Sequence, residues 1–431
     1  MFQFRKKKEK RICLRDILIY YYVDFKESLG RVSGAGLSRR EIMGNKTFLR
    51  YVRKMKDPRQ EVIADIGAFS KLADKLIEDG IKRIFLISGQ QTKKLKLYDD
   101  FIARLTEAGV RCFIFSDVGK TPDARVIERC TAQCQTYNCD IIIAFGGGTV
   151  IDVAKLVSVW VTNPTRSLYQ LRGFGKIPNP GVDLYAVPTT GSGAESTGCA
   201  LIHYEQQICT YFSNYMIPAK VILDPDLTLR LPAEVFASAS MLALTHAIEA
   251  YISANRIEFP ADGANVLIAV PIFFSYMEKC YKHGANADTY LQMMMAPYYS
   301  GIACRKIGFG YAHCLGIRIA EKYGLNPGRV SATVLPYILE SALDQIVEPL
   351  AELALTCHLC SGRADKLDAA KALIEGLKSL NRRVDIPSTI PNLRLEDFND
   401  IIEMVMLDAR NWGTPIRMTA RTIQMILRKL K

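Results

Sequence analysis

The chain has 431 residues, of which 49% are hydrophobic, 23% charged and 9% aromatic; these proportions are globular and exclude a disordered, collagenous or coiled-coil protein. The formal charge is +12, yet residues 1–60 hold 17 Lys and Arg against 6 Asp and Glu, so all but one of the net charges lie there. A uniformly basic body is thereby excluded, and nucleic acid is not an expected partner.

The first apolar stretch, Ile17 to Val23, follows the basic run Arg5 to Arg11 and is bounded by Arg15, Asp16 and Asp24. It is too short for a signal segment and far below the roughly 20 residues of a membrane span, so no span and a cytoplasmic location are expected. Twelve cysteines are scattered through the chain, and without a secreted context reduced thiols are expected. The single close pair, Cys357-His358-Leu359-Cys360, has no second pair at zinc spacing and reads as a helix end.

From residue 61 the pattern alternates. Ala68 to Asp79, Tyr98 to Ala108 and Asp123 to Asn138 read as helices, and Arg83 to Ser88, Arg111 to Phe115 and Asp140 to Phe145 as buried strands. Nearly continuous apolar strands between helices predict a parallel sheet covered on both faces. After Pro232 helical patterns dominate. Three segments follow: a basic extension over 1–60, an α/β dinucleotide-binding domain over 61–230, and an all-helical metal and substrate domain over 231–431.

Gly146-Gly147-Gly148-Thr149 stands between a strand and the helix Val150 to Val159. Such a turn offers free N–H groups and the positive end of a helix dipole to a phosphate. It is neither the spaced GxGxxG fingerprint nor a P-loop. Asp152 is grouped with this site, although with Lys155 it also reads as an ordinary surface pair. A second polar loop, Pro188 to Thr197, follows the strand Leu184 to Val187, and its Thr189, Thr190 and Thr197 suit a ribose or a nicotinamide amide. Two such loops at strand carboxyl ends predict a dinucleotide site.

These motifs resemble the iron-containing (group III) alcohol dehydrogenase family. Gly146 to Lys155 is similar to its GGGSxxDxAK signature, and Pro188 to Thr197 to its PTTAGTGSEVT loop with one residue fewer. Ile222 to Pro232 and Leu244 to Tyr251 resemble the DPxLTxxLP and ALTHAIEAY blocks, and the likeness continues through Tyr298 to Ala303, Gly310 to His313 and Asp408 to Arg410. The resemblance implies a Rossmann-like parallel-sheet domain followed by an all-α domain, the architecture also of dehydroquinate synthase. It further implies hydride transfer between NAD(P)(H) and a small alcohol or aldehyde, a divalent Fe2+ or Zn2+ polarising the substrate oxygen, and a homo-oligomer.

The sequence departs from the family at the implied metal site. His246 and His313 stand at two of the four ligand positions and are the candidate catalytic residues, whereas Leu242 and Pro327 occupy the other two and cannot coordinate. Ile317 replaces a further histidine, and two imidazoles fall short of a usual site. Glu249, Glu195 and Cys314 are the candidate substitutes if the site rearranges locally. The cofactor end departs as well. The family's Thr-Asp after the first strand reads Ser88-Gly89 here, followed within one turn by Lys93 and Lys94. Losing the carboxylate and gaining two cations favours NADP(H) over NAD(H). The alternative function is a metal-free, catalytically impaired homologue that retains dinucleotide binding in a regulatory or assembly role.

Overall fold

Short apolar strands, each followed by an amphipathic helix, set the first half of the molecule. The structure, a computed structural model, describes residues 46–431 apart from 57–58, 205–206, 283–284, 413–415 and 417. The basic run Arg5 to Arg11 and the Ile17 to Val23 stretch lie outside the described residues.

The described chain begins with α1 (Lys46–Val52), β1 (Glu61–Ala64), α2 (Ala68–Glu78), β2 (Arg83–Gly89), α3 (Gln90–Lys94), α4 (Asp99–Glu107), β3 (Arg111–Val118) and α5 (Ala124–Tyr137). Next come β4 (Ile141–Gly146), α6 (Gly148–Val161), β5 (Gly173–Phe174), β6 (Leu184–Pro188), β7 (Cys199–Tyr204), β8 (Gln207–Phe212) and β9 (Lys220–Leu223). Six strands form one parallel sheet in the order β1-β9-β6-β4-β2-β3, and β5, β8 and β7 form a small second sheet. β4 reads Ile-Ile-Ile-Ala-Phe-Gly and is buried along its whole length, as a strand flanked by strands and covered on both faces must be.

Helix ends follow local chemistry. Asp123 caps α5 by accepting from the Val126 N–H, and Asn138 ends it in the left-handed conformation at φ 46°, a role that Asn tolerates well. The basic extension expected over 1–60 is not all appendage. Phe48 of α1 packs edge-on against Phe174 and Phe212 of the small sheet, at 5.3 and 5.7 Å between ring centroids.

Helices make up the second half: α7 (Pro225–Thr228), α8 (Ala233–Ile252), α9 (Pro260–Tyr281), α10 (Ala287–Ile307), α11 (Tyr311–Tyr323), α12 (Pro327–Ser341), α13 (Leu343–Thr356), α14 (Lys366–Arg383), α15 (Phe398–Trp412) and α16 (Ala420–Leu430). Among the described residues α8 alone is long and apolar enough to cross a membrane, and 78% of its apolar window is buried in this bundle, so it is a core helix. Val221 and Leu223 of β9 belong to the same apolar cluster as α8 to α16. The described residues belong to one compact unit, and the α/β and helical halves share that core. Cys357 to Cys360 lies just past the end of α13, where His358 takes a positive φ of 54°.

Candidate functional site

The glycine turn is built from β4 and α6. Gly147 takes the N-cap position of α6 in extended backbone, and no side chain caps that end. The Val150 N–H donates to Gly147 O at 3.0 Å, which leaves the Gly148 and Thr149 N–H groups at the start of a 14-residue helix for a ligand, and the helix dipole favours an anionic one. The second loop presses against this turn. A Cβ on Gly147 would lie 3.0 Å from Thr190 Oγ1 and one on Gly148 2.9 Å from Ser192 Oγ, so side chains there would force the two loops apart. The Thr189 N–H donates to Gly146 O at 3.0 Å, which fixes the loops in register.

The second loop is organised around a buried ammonium. Lys155 is wholly buried, and its Nζ donates to Ala194 O at 2.7 Å, Thr197 Oγ1 at 3.1 Å and Cys199 O at 2.7 Å. All three protons of the ammonium are thereby used. Asp152 stands 3.7 Å from the same Nζ and accepts from the Leu201 N–H at 3.1 Å. The surface-pair reading of Asp152 and Lys155 is therefore corrected: the pair is interior, and it ties α6 to the second loop and β7. Burial pushes the Asp152 carboxyl up to about 6 and lowers the Lys155 ammonium.

Other bonds join the loop to the helical half. Ser196 Oγ donates to Tyr298 O at 2.9 Å, and the buried Arg305 guanidinium donates to Ser196 O and to Gln60 Oε1. Gln60 in turn donates to Glu195 O at 2.9 Å and Pro218 O at 2.8 Å. Gly193 has a φ of 74° and sits against the Pro297 carbonyl of α10, while Gly191 faces Ser240 of α8. Neither position has room for a side chain. Glu195 is buried with no hydrogen bond to Oε2, and desolvation pushes its carboxyl up to about 7.

Six residues beyond Ser240, α8 carries His246. Its Nε2 lies 2.8 Å from His313 Nδ1, so one proton is shared between the rings in either tautomer. Phe309 stacks on His313 at 4.5 Å and lies 4.6 Å from the His246 ring. Burial lowers both imidazoles, His246 well below its ordinary value and His313 to about 4, with Arg318 adding to the latter shift.

Glu249, one turn past His246, accepts from the Gly310, Ala312 and His313 N–H groups at 3.0, 2.6 and 3.1 Å. It caps α11 from within the core and thereby positions His313. Desolvation pushes its carboxyl up to about 7. With both oxygens bound to backbone amides, it is occupied otherwise than as a substitute ligand.

Leu242 stands one turn before His246 and is half-buried, Ile317 is half-buried one turn past His313, and Pro327 is exposed at the start of α12. Among the described residues no three His, Cys, Asp or Glu side chains converge. Two hydrogen-bonded imidazoles are one donor short of the three protein ligands that catalytic zinc sites keep.

On the β2 side of the glycine turn the expected cofactor residues divide. Ser88 is wholly buried and its hydroxyl donates to Tyr98 Oη at 3.2 Å, so that hydroxyl is turned into the core. Gly89 abuts Val150, where a Cβ would lie 3.6 Å from Cγ2, and Lys93 and Lys94 are exposed on α3. Gln60 and Arg305 carried no motif signal. Lys155 did: a lone cation between Ala154 and Leu156 in an apolar helix marks a buried charge.

Comparison with known proteins identifies the family and agrees with the fold. A family model described as iron-containing alcohol dehydrogenase matches residues 58–225, and one described as Fe-containing alcohol dehydrogenase family, C-terminal, matches residues 236–431. The 1,3-propanediol dehydrogenase of Klebsiella pneumoniae is 28% identical over 370 residues, covering 84% of this chain and 95% of its own. Long-chain-alcohol dehydrogenase 1 of Geobacillus thermodenitrificans is 25% identical over 354 residues, 80% of this chain and 89% of its own. The solved structure of an alcohol dehydrogenase from Oenococcus oeni superposes with a TM-score of 0.81 at 26% identity, covering 86% of this chain and 98% of that one. With nearly the whole described length matched, the chain belongs to the iron-containing alcohol dehydrogenase family, a family of oxidoreductases.

Proposed function

We propose that the protein transfers a hydride between a nicotinamide dinucleotide and a small alcohol or aldehyde, with the His246–His313 pair handling the substrate oxygen in place of a resident metal. The observation that carries this is the 2.8 Å bond between His246 on α8, a helix that the second loop reaches, and His313 on α11. The names of the relatives, propanediol and long-chain-alcohol dehydrogenases, support the substrate class.

The uncapped start of α6, with Gly146, Gly147, Gly148 and Thr149, holds the pyrophosphate, and Thr190 borders it beside Gly147. Thr189, Thr197 and Asp152 shape the walls from behind through the contacts given above. The bound dinucleotide supplies or accepts the hydride. In reduction the carbonyl carbon gains that hydride and the oxygen gains a proton from the imidazole N–H that is not in the inter-ring bond, the partner ring passes its shared proton across, and water returns the proton so spent to the pair. Both rings are lowered by burial, so near neutral pH the donor is a neutral imidazole, able to polarise a carbonyl without carrying charge. No step is assigned to a metal, because the two-imidazole donor set does not fit one. Lys93 and Lys94, with no carboxylate at Ser88-Gly89, support NADP(H) over NAD(H).

A second reading is a dinucleotide-binding homologue without turnover, in a regulatory or assembly role. Leu242, Ile317 and Pro327 in the ligand positions favour it. Elemental analysis, NADPH and NADH titration, and turnover of an alcohol and aldehyde panel separate the readings. Aldehyde reduction with metal far below one equivalent is expected. Stoichiometric iron or zinc would sink the metal-free chemistry, and tight binding with no turnover would leave the second reading standing. Light scattering on the same sample tests the homo-oligomer expected from the family.

A further inference from the structure

A dinucleotide with its pyrophosphate on α6 and its nicotinamide towards the second loop and the imidazoles must extend its adenosine the other way. The sheet order places β2 and then the edge strand β3 on that side of β4. The ends of β2, β3 and α6 meet at Gly89, where a Cβ would lie 3.6 Å from Val150 Cγ2 and 3.8 Å from Val118 O.

β3 is irregular at this place. Ile87 pairs with Phe115 but Gly89 pairs with Val118, so β3 carries one extra residue opposite Ser88. Such a bulge re-aims side chains, and bulges recur beside active sites. Here Asp117 is turned towards the turn after β2, where Oδ1 accepts from Gln90 Nε2 at 3.4 Å. Its Oδ2 accepts from the Arg129 guanidinium of α5 at 2.8 Å. The two side chains are 54% and 58% exposed, and an ion pair so open to water adds little to the fold. Lys93 and Lys94 stand three and four residues past Gln90, on the helix face that Gln90 turns to Asp117.

We propose that the Asp117–Arg129 pair reads the 2′ position of the adenosine ribose, Arg129 drawing a 2′-phosphate and Asp117 opposing it. The inference rests on the dinucleotide reading above. Guanidinium matches phosphate geometry in a paired hydrogen bond, and a carboxylate in this place accepts a ribose hydroxyl and repels a phosphate. Without a ligand the two groups pair with each other. A 2′-phosphate takes Arg129 from Asp117, with Lys93 and Lys94 offsetting the remaining charge.

The two substitutions make opposite predictions. Dissociation constants for NADPH and NADH, read by cofactor fluorescence on the purified full chain, give an affinity ratio for each variant. Arg129→Gln lowers the NADPH preference about ten-fold and Asp117→Asn raises it about ten-fold. A purely structural ion pair is broken by either change and would move the ratio the same way or not at all, and either result overturns the proposal. If the unaltered protein binds neither dinucleotide, the underlying nucleotide reading falls with it. Binding by the unaltered protein with a ratio fixed across the variants overturns the role of this pair alone.

Discussion

The two ends of the candidate site are built from different materials. The proposed nucleotide end is built of backbone: three glycines, an uncapped helix start and a loop pinned from behind by Lys155. The imidazole end is built of side chains, and Leu242, Ile317 and Pro327 stand at the positions where the family resemblance implies polar groups. Backbone recognition tolerates broad sequence change provided that the glycines and the buried anchor stay. A side-chain constellation loses a donor with a single substitution. Divergence can therefore leave the cofactor edge legible while the chemistry beside it is rewritten.

The comparison is broken most forcefully at its anchor. Lys155→Met leaves Asp152 buried without its cation and removes the donor that joins Ala194 O, Thr197 Oγ1 and Cys199 O. Removing one partner of a buried pair typically costs about 3–5 kcal/mol. We expect a corresponding loss in denaturant unfolding and loss of dinucleotide binding in whatever folded fraction remains. A change below about 1 kcal/mol would show that the loop does not depend on this anchor.

At the other end, His313→Gln tests whether the imidazole pair acts on the substrate. Turnover should fall by about 10²–10³-fold, the usual effect of losing one donor to a developing oxyanion, while the dinucleotide dissociation constant stays put. Equal losses in binding and turnover would instead show that the two ends are one structural unit.

The smallest effect is a pH dependence. Glu195 and Glu249 are raised to about 7 in the folded protein, above the roughly 4.3 of a free glutamate. The folded state then holds more protons between those values, so the stability from these groups is present below the lower one and is lost as pH rises to about 7. His313, lowered to about 4, acts oppositely, favouring the fold as pH rises from about 4 to about 6.5. Glu195→Gln should flatten the fall towards neutral pH in a series of thermal melts. An unchanged slope would show that this carboxyl is not protonated in the fold.

Much of this was legible in the sequence, for identifiable reasons. The apolar runs Ile141 to Phe145 and Leu184 to Val187 and the glycine turn between strand and helix carry periodicity and punctuation, and both strands appear within a residue or two of expectation. β1 and β9, four residues each, are too short to show a period. The β7–β8 hairpin mixes polar and apolar residues and was not predicted. Ser88 is an expected cofactor residue because Ser88-Gly89 stands where the resembling family has Thr-Asp, but neighbouring strand residues face opposite sides, and its hydroxyl turns inward to Tyr98. Nor does sequence spacing reveal that Glu249 reaches three amides 61 to 64 residues away.

That last contact bears on which molecules the protein selects. A helix start beside a reaction centre commonly attracts anions, but the amides at the head of α11 are already taken by an internal carboxylate. A carboxylate-bearing aldehyde approaching His313 would meet neither free amides nor an uncompensated dipole. The protein's own anion occupies that field, so on the proposed function selection among aldehydes passes to apolar shape, with Phe309 against both imidazoles.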